Sequence, residues 1–339
     1  MTQKILIIQT AFLGDAILTL PLVQKVYELN GNTSIDILTI EQNRFIFESS
    51  PYVSNVIILD KKKKHRNIFK TLRFAKKLRK NKYTKIISPH RSFRTSIIVW
   101  ALKVKESIGF YTSAFNFVYK TLIKYRIDYH EVQRNLSLLN NASLVQNWKI
   151  LPKIIVSKEV IDKVKQFIKY LSEKKYIAIA PSSVWYTKTY PKEYYIRIIN
   201  DLIEKGFFIF LIGGTDDKNY CEGIKNLFPD NIISTAGSFN VIETIELLKY
   251  CQLLICNDSA PTHMGMCADI PVLTIYCSTV PSFGFYPYNG KSKYLSYDEL
   301  ICKPCGIHGY KKCPIKTYDC AYLLTPERIL HSVYQMLSL

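Results

Sequence analysis

Four short stretches of this 339-residue chain set acidic, basic or hydroxyl side chains directly after an apolar run. In "QTAFLGDAILTLP" the carboxylate of Asp15 could accept a proton, or it could cap the helix that follows Gly14. In "PSSVWYTKTYPKEYY" the hydroxyls of Ser183 and Thr187 accompany Lys188, a combination suited to gripping phosphate or simply to a solvated loop. In "LIGGTDDKNY" Gly213 and Gly214 let a ligand approach the backbone, while Asp216 or Asp217 could bind ribose hydroxyls or cap a helix. In "NDSAPTHMGM" Pro261 suits a first helical turn, so the free N–H groups of 259–263 favour an anion, with His263 one turn in. Asp258 belongs beside such an anion only if it bonds a neutral hydroxyl. The ligand that fits carries both phosphate and sugar.

The elements that must position these loops alternate strand and helix. Apolar runs at 4–9, 34–39, 56–60, 85–89 and 107–110 interleave with helical patterns such as 16–30 and 67–80. A second set of strands at 176–180, 207–214, 232–235, 253–256 and 272–276 interleaves with helical patterns near 193–205, 217–227, 241–250 and 261–268. Runs that are apolar throughout fit strands covered on both faces of a parallel sheet. The Pro-containing piece "NWKILPKIIVSKEV" leads into a helix near 158–173 and separates the two sets. The expectation is an α/β protein of two Rossmann-like domains, 1–155 and 156–339, whose ligands lie beyond the carboxyl ends of the strands. No G-x-G-x-x-G dinucleotide fingerprint occurs.

The net charge of +19 is uneven: residues 61–85, beginning Lys61, Lys62, Lys63, Lys64, contain no acidic side chain. Such a field attracts nucleic acid, anionic lipid or phosphorylated substrates. The helical period also allows a bland reading, with Ile68, Leu72, Ala75 and Leu78 facing a core, Phe69 and Phe74 packed there too, and the cations solvated. Residues 5–23 are apolar, but Asp15 near their centre argues against a membrane span, and a cytoplasmic protein is expected. All nine cysteines follow residue 220. Five of them, at 221, 251, 256, 267 and 277, read as buried thiols in a reducing compartment.

The stretches "KILIIQTAFLGDAILTLPLVQKV", "SPYVSNVIILDK", "PHRSFRTS", "SIGF", "HEVQRNLSLL", "APSSVWYTKTYPKEYY", "FLIGGTDD", "NDSAPTHMGMCADIPVLTIY" and "CKPCGIHGYKKCP" occur in an order that resembles glycosyltransferase family 9, the ADP-heptose:lipopolysaccharide heptosyltransferases. The resemblance implies a GT-B fold with two Rossmann-like domains facing across a cleft, the first binding the acceptor and the second the sugar nucleotide. It implies inverting, metal-independent transfer of heptose from ADP-heptose to the inner core of lipopolysaccharide, with no cofactor needed for catalysis. By position Asp15 matches the family's proposed base. Ser183, Thr187, Lys188, Gly214, Asp216, Asp258, Ser259, Ala260, Pro261 and His263 match its donor loops. Lys61 to Lys64, Arg91, Arg94 and Arg134 are expected to meet an anionic acceptor, at the cytoplasmic face of the inner membrane and in peripheral contact with it. The chain departs from the family with Ala260 in place of a usual Gly and "YCST" in place of "FGPT".

The segment "CKPCGIHGYKKCPIKTYDC" holds Cys302, Cys305, Cys313 and Cys320, with His308 nearby. Structural zinc or iron, free thiols and disulfides are all open readings. Alternatives for the whole chain are a heptosyltransferase acting on protein, a GT-B enzyme using another sugar nucleotide, and a basic nucleic-acid-binding protein. The last needs base-stacking aromatics among the cations, and no nucleic acid is expected as partner.

Overall fold

Strand-forming runs of Ile, Leu, Val and Phe dominate the interior of two separate sheets in the computed structural model, which describes residues 3–31, 33–171 and 174–339. The chain divides into two compact units, Met1–Ile155 and Val156–Leu339. In the first, β1 (Lys4–Ile8), β2 (Ser34–Thr39), β3 (Asn55–Ile58), β4 (Lys85–Ile87), β5 (Glu106–Phe110) and β6 (Thr121–Ile123) pair in the order 3-2-1-4-5-6. In the second, β7 (Lys175–Ala180), β8 (Phe207–Leu211), β9 (Ile232–Ser234), β10 (Cys251–Asn257), β11 (Val272–Tyr276) and β12 (Lys293–Ser296) repeat that order as 12-11-10-7-8-9. Every pairing is parallel.

Each unit is therefore a doubly wound Rossmann-like sheet. The strand order reverses between β1 and β4 in one and between β7 and β10 in the other, and the loops diverging there open a crevice. The strands can run apolar throughout because both faces are covered. In β1, Leu6 and Ile8 join the core with Leu38, Ile86 and Ile98, while Ile5 and Ile7 are buried on the other face. In the second unit Ile177, Ile179, Ile209, Leu211, Ile255 and Ile275 pack with Tyr195, Ile198 and Leu202 of the helix Lys192–Glu204.

Some expectations change. Two edge strands, β6 and β12, are not among the strands expected from the sequence: one is three residues long and the other four, with its first two residues exposed. The helix expected near 158–173 runs Lys158–Ile168 with a 3-10 turn to Leu171, and 172–173 lie outside the described residues. The basic helix Ile68–Leu78 buries Thr71, Ala75 and Leu78. Phe69, expected in the core, is 82% exposed, and Ile68 is exposed beside it. No helix among the described residues is long and apolar enough to cross a membrane.

Candidate active site

In the first unit the chemistry gathers at the β1/β4 crevice. The helix Leu13–Asn30 starts after Phe12, so Asp15 is not its N-cap but sits inside the first turn, where backbone N–H groups of Phe12 and Asp15 reach its carboxylate. Dense protein around that carboxyl raises its pKa from 3.8 to about 7. The charge of Glu131 adds to the rise, and Arg91 opposes it. A carboxyl poised there takes up a proton readily near neutrality. Across the crevice, Thr10 Oγ1 and His90 Nδ1 are 3.0 Å apart, and His90 Nδ1 lies 2.8 Å from Thr95 Oγ1. Burial, followed by the charges of Lys61 and Arg91, lowers His90 to about 4, so it is neutral at pH 7.

The cations expected to meet an acceptor divide into two groups. Lys62, Lys63 and Lys64 are exposed, their backbone N–H groups donating to Asp60. Arg91 donates to Thr112 Oγ1 and lies 3.8 Å from the ring centre of Tyr125. Lys61 Nζ instead donates to the Thr10 carbonyl at 2.6 Å, and Arg94 ties down the carbonyls of His65 and Arg66. Arg134 is a correction: it is buried and donates to the carbonyls of Arg126 and Ile127, to the Tyr125 hydroxyl and to Glu131. A guanidinium so enclosed braces the loop before its helix and fixes Glu131, the neighbour that sequence reasoning missed.

In the second unit the β7/β10 crevice is laced together by Asn257, the last residue of β10 and fully buried. Its amide Nδ2 donates to the carbonyls of Ala180 and Ser182, and its Oδ1 accepts from Tyr190 N–H and the Tyr195 hydroxyl. Asn257 thus fixes the height of the Ser183–Lys188 loop relative to the Asp258–His263 loop. The only sequence signal was an amide ending an apolar run.

Between those loops Lys188 Nζ meets Asp258 Oδ2 at 2.6 Å, and Thr279 Oγ1 donates to the same oxygen at 2.7 Å. The helix Ala260–Ala268 begins here with no side-chain cap. Ser259 donates its hydroxyl back to the Asn257 carbonyl, and Thr262 N–H bonds the Ser259 carbonyl, leaving Ala260 N–H at the open end. His263 is buried, its Nδ1 has no hydrogen-bond partner among the described residues, and burial lowers its pKa to about 4 despite Asp258. Ammonium, helix N-terminus and neutral imidazole together form a locus for negative charge. The helix reaches it because Gly265 lets it lie flush on the sheet: a Cβ there would stand 2.3 Å from Val272 Cγ2.

Two sequence assignments sharpen. At the turn after β8, Asp217 accepts from Gly214 N–H at 2.7 Å, so Asp217 is the structural carboxylate and Asp216 is left exposed. Thr187 is buried, and its hydroxyl already serves Tyr310 and Ser278, so it has no free valence for a ligand. Cys302, Cys305, Cys313 and Cys320 are free thiols around one pocket shared with Thr187, Ser278 and Tyr310. Among the described residues no group of three or more His, Cys, Asp or Glu is placed to hold a metal, so of the open readings for this cluster the structural zinc or iron is not supported.

Two doubly wound units of this kind have the architecture of the GT-B fold. The fold matches a glycosyl transferase family 9 structure from Veillonella parvula with a TM-score of 0.85 at 21% identity, covering 99% of this chain and 97% of that one. It also matches the E. coli ADP-heptose lps heptosyltransferase II with a TM-score of 0.81 at 18% identity, covering 99% and 98%. A lipopolysaccharide heptosyltransferase 1 of Campylobacter coli is 28% identical over 301 residues, 83% of this chain and 85% of that protein. The family model described as glycosyltransferase family 9 (heptosyltransferase) matches residues 71–315, and the chain belongs to that family.

Proposed function

We propose that the protein transfers heptose from ADP-heptose to the inner core of lipopolysaccharide, inverting the anomeric centre. The observation that carries this reading is the Lys188–Asp258 pair at the open N-terminus of Ala260–Ala268, beside buried His263, in a family 9 chain. The named function of relatives such as the Campylobacter coli enzyme supports the sugar and the acceptor.

In this mechanism the second unit binds the donor. The diphosphate meets Lys188, the helix N-terminus near Ser259, Ala260 and Pro261, and His263, while Asp258 turns toward sugar hydroxyls. Ser183 lines the phosphate side, and Gly214 and Asp216 serve the ribose. The first unit binds the acceptor through Lys62, Lys63, Lys64 and Arg91. An acceptor hydroxyl gives its proton to Asp15 as its oxygen attacks the anomeric carbon, and the C–O bond to ADP breaks on the opposite face. The departing diphosphate gains charge, which Lys188 and the helix N-terminus stabilise. No D-x-D carboxylate pair occurs in the sequence, and these groups supply positive potential of their own, so the reading is metal-independent.

Peripheral contact with an anionic membrane belongs to the same proposal. The exposed Phe69 stands on a helix whose Lys70, Arg73, Lys76 and Lys77 face solvent, with no acidic residue between 61 and 85. The central test is incubation with ADP-heptose and heptose-deficient lipopolysaccharide, with Asp15→Ala as control. Sugar transfer by Asp15→Ala at the wild-type rate would remove the base assignment. Binding of UDP in preference to ADP would remove the donor.

A further inference from the structure

The Cys-rich segment is tied to the loop that carries Lys188 through one side chain. Thr187 N–H donates to the Tyr310 carbonyl at 3.1 Å, and its hydroxyl donates to that carbonyl at 3.2 Å. The same hydroxyl accepts from Tyr310 N–H at 2.8 Å and from Ser278 Oγ at 3.0 Å. Ser278 is in turn held by the segment, its carbonyl accepting from Cys305 N–H at 2.8 Å. Gly309 has φ +78°, and a Cβ there would stand 2.9 Å from Thr187 Oγ1 and 3.0 Å from Lys188 Cγ. Farther along, the Tyr318 hydroxyl bonds the carbonyls of Tyr186 and Thr189. Both ends of the three-residue turn Tyr186–Lys188 are therefore anchored to the segment, and only the Lys188 side chain leaves it toward Asp258.

We propose that Thr187 is a positioning residue for donor binding, and that the segment 302–320 is the brace through which it sets the height of Lys188. This rests on the reading of Lys188 as a diphosphate ligand. A hydroxyl with three partners in a buried place cannot be replaced by a methyl without orphaning Tyr310 N–H and the Ser278 hydroxyl, and the turn must move to resatisfy them. The loss should then appear in the donor and not in the acceptor.

The test is titration of the full-length protein with ADP, together with KM for donor and for acceptor, in wild type, Thr187→Val, Thr187→Ser and Gly309→Ala. Thr187→Val should weaken ADP and raise donor KM roughly tenfold, the usual scale for a lost buried hydrogen bond. Acceptor KM should stay as in wild type, and Thr187→Ser should lie closer to wild type than Thr187→Val. Gly309→Ala, which keeps every bonding group but crowds the turn, should weaken ADP in the same sense. Hydrogen exchange on the wild-type protein reads the brace without any variant: ADP should slow exchange in 183–189 and in 308–311 together. ADP affinity unchanged in Thr187→Val, or protection confined to 183–189, would overturn the brace while leaving the nucleotide site in place. Wild type that does not bind ADP would overturn the nucleotide reading and the brace with it.

Discussion

Lys188 and Asp258 form an ion pair 2.6 Å long in which both side chains are mostly buried, at 13% and 12% exposure. The pair holds the ammonium at the mouth of the helix Ala260–Ala268 before any ligand arrives, so little side-chain entropy remains to be lost on binding. Replacing Lys188 with Ala should lower kcat/KM by roughly 10²–10³, the scale for removing one preorganised electrostatic donor. It should also lower the thermal midpoint, because Asp258 loses its ion-pair partner in a mostly buried place and retains the hydrogen bond from Thr279. Steady-state kinetics and a melting curve check both. Wild-type kcat/KM in Lys188→Ala would sink the assignment.

The elevated pKa of Asp15 predicts an acid limb in the pH–rate profile of kcat/KM near pH 7. Glu131→Gln should move that limb to lower pH, since removing a negative neighbour eases ionisation of Asp15. Asp15→Asn should cost roughly 10²–10⁴ in rate. An acid limb that stays put in Glu131→Gln would show that the two carboxylates do not interact.

The same shift has a consequence for stability. The folded protein holds the Asp15 proton up to about pH 7, whereas the unfolded chain releases it near 3.8. Between those values the folded state binds more protons, so this group's contribution is full below about 4 and declines as pH rises through 7. Asp15→Asn removes that decline. Relative to wild type it should be more stable at pH 8 than at pH 4, as thermal melts at the two pH values would reveal.

His263 supplies a separable prediction. Its Nδ1 is buried without a partner among the described residues, so in the free protein the imidazole is a cost that a bound anion can offset. His263→Leu should weaken ADP binding about tenfold while leaving the melting temperature unchanged or higher. Isothermal titration and a melt together decide it. Parallel loss of binding and stability would mean the ring is merely packing.

For the basic helix Ile68–Leu78, sedimentation with anionic vesicles should fall as salt rises. Removing Lys76 and Lys77 together should weaken binding by about 2 kcal/mol, at roughly 1 kcal/mol per cation near the surface. Phe69→Ser should weaken it further without changing the salt slope. Equal binding to neutral vesicles would rule out the electrostatic part of this contact, and preferential binding of single-stranded RNA would rule out the membrane itself.

What could be read from the sequence follows the strength of local signals. The long apolar strands and the helix start around Pro261 are legible because period and turn chemistry are local properties, whereas the helix expected to follow Gly14 already opens at Leu13. The edge strands β6 and β12 are not, since a short or exposed strand owes its pairing to neighbours distant in sequence. Arg134 and Thr187 show the same limit among side chains. An Arg or Thr looks free in the sequence until the fold reveals which carbonyls surround it, and both turn out to hold the site's frame in place. Asn257 is the converse case, an unremarked amide that links the two loops sequence reasoning had treated separately.

Gly265 carries one last implication. A helix that touches a sheet through a bare Cα cannot be raised by even one methyl without lifting its whole N-terminal turn away from Lys188 and Asp258. Sequence drift at that single interior position would therefore detune the anion locus from below while every ligand-facing residue stayed intact. Random mutagenesis scored on donor affinity should find this floor of the site as readily as its walls.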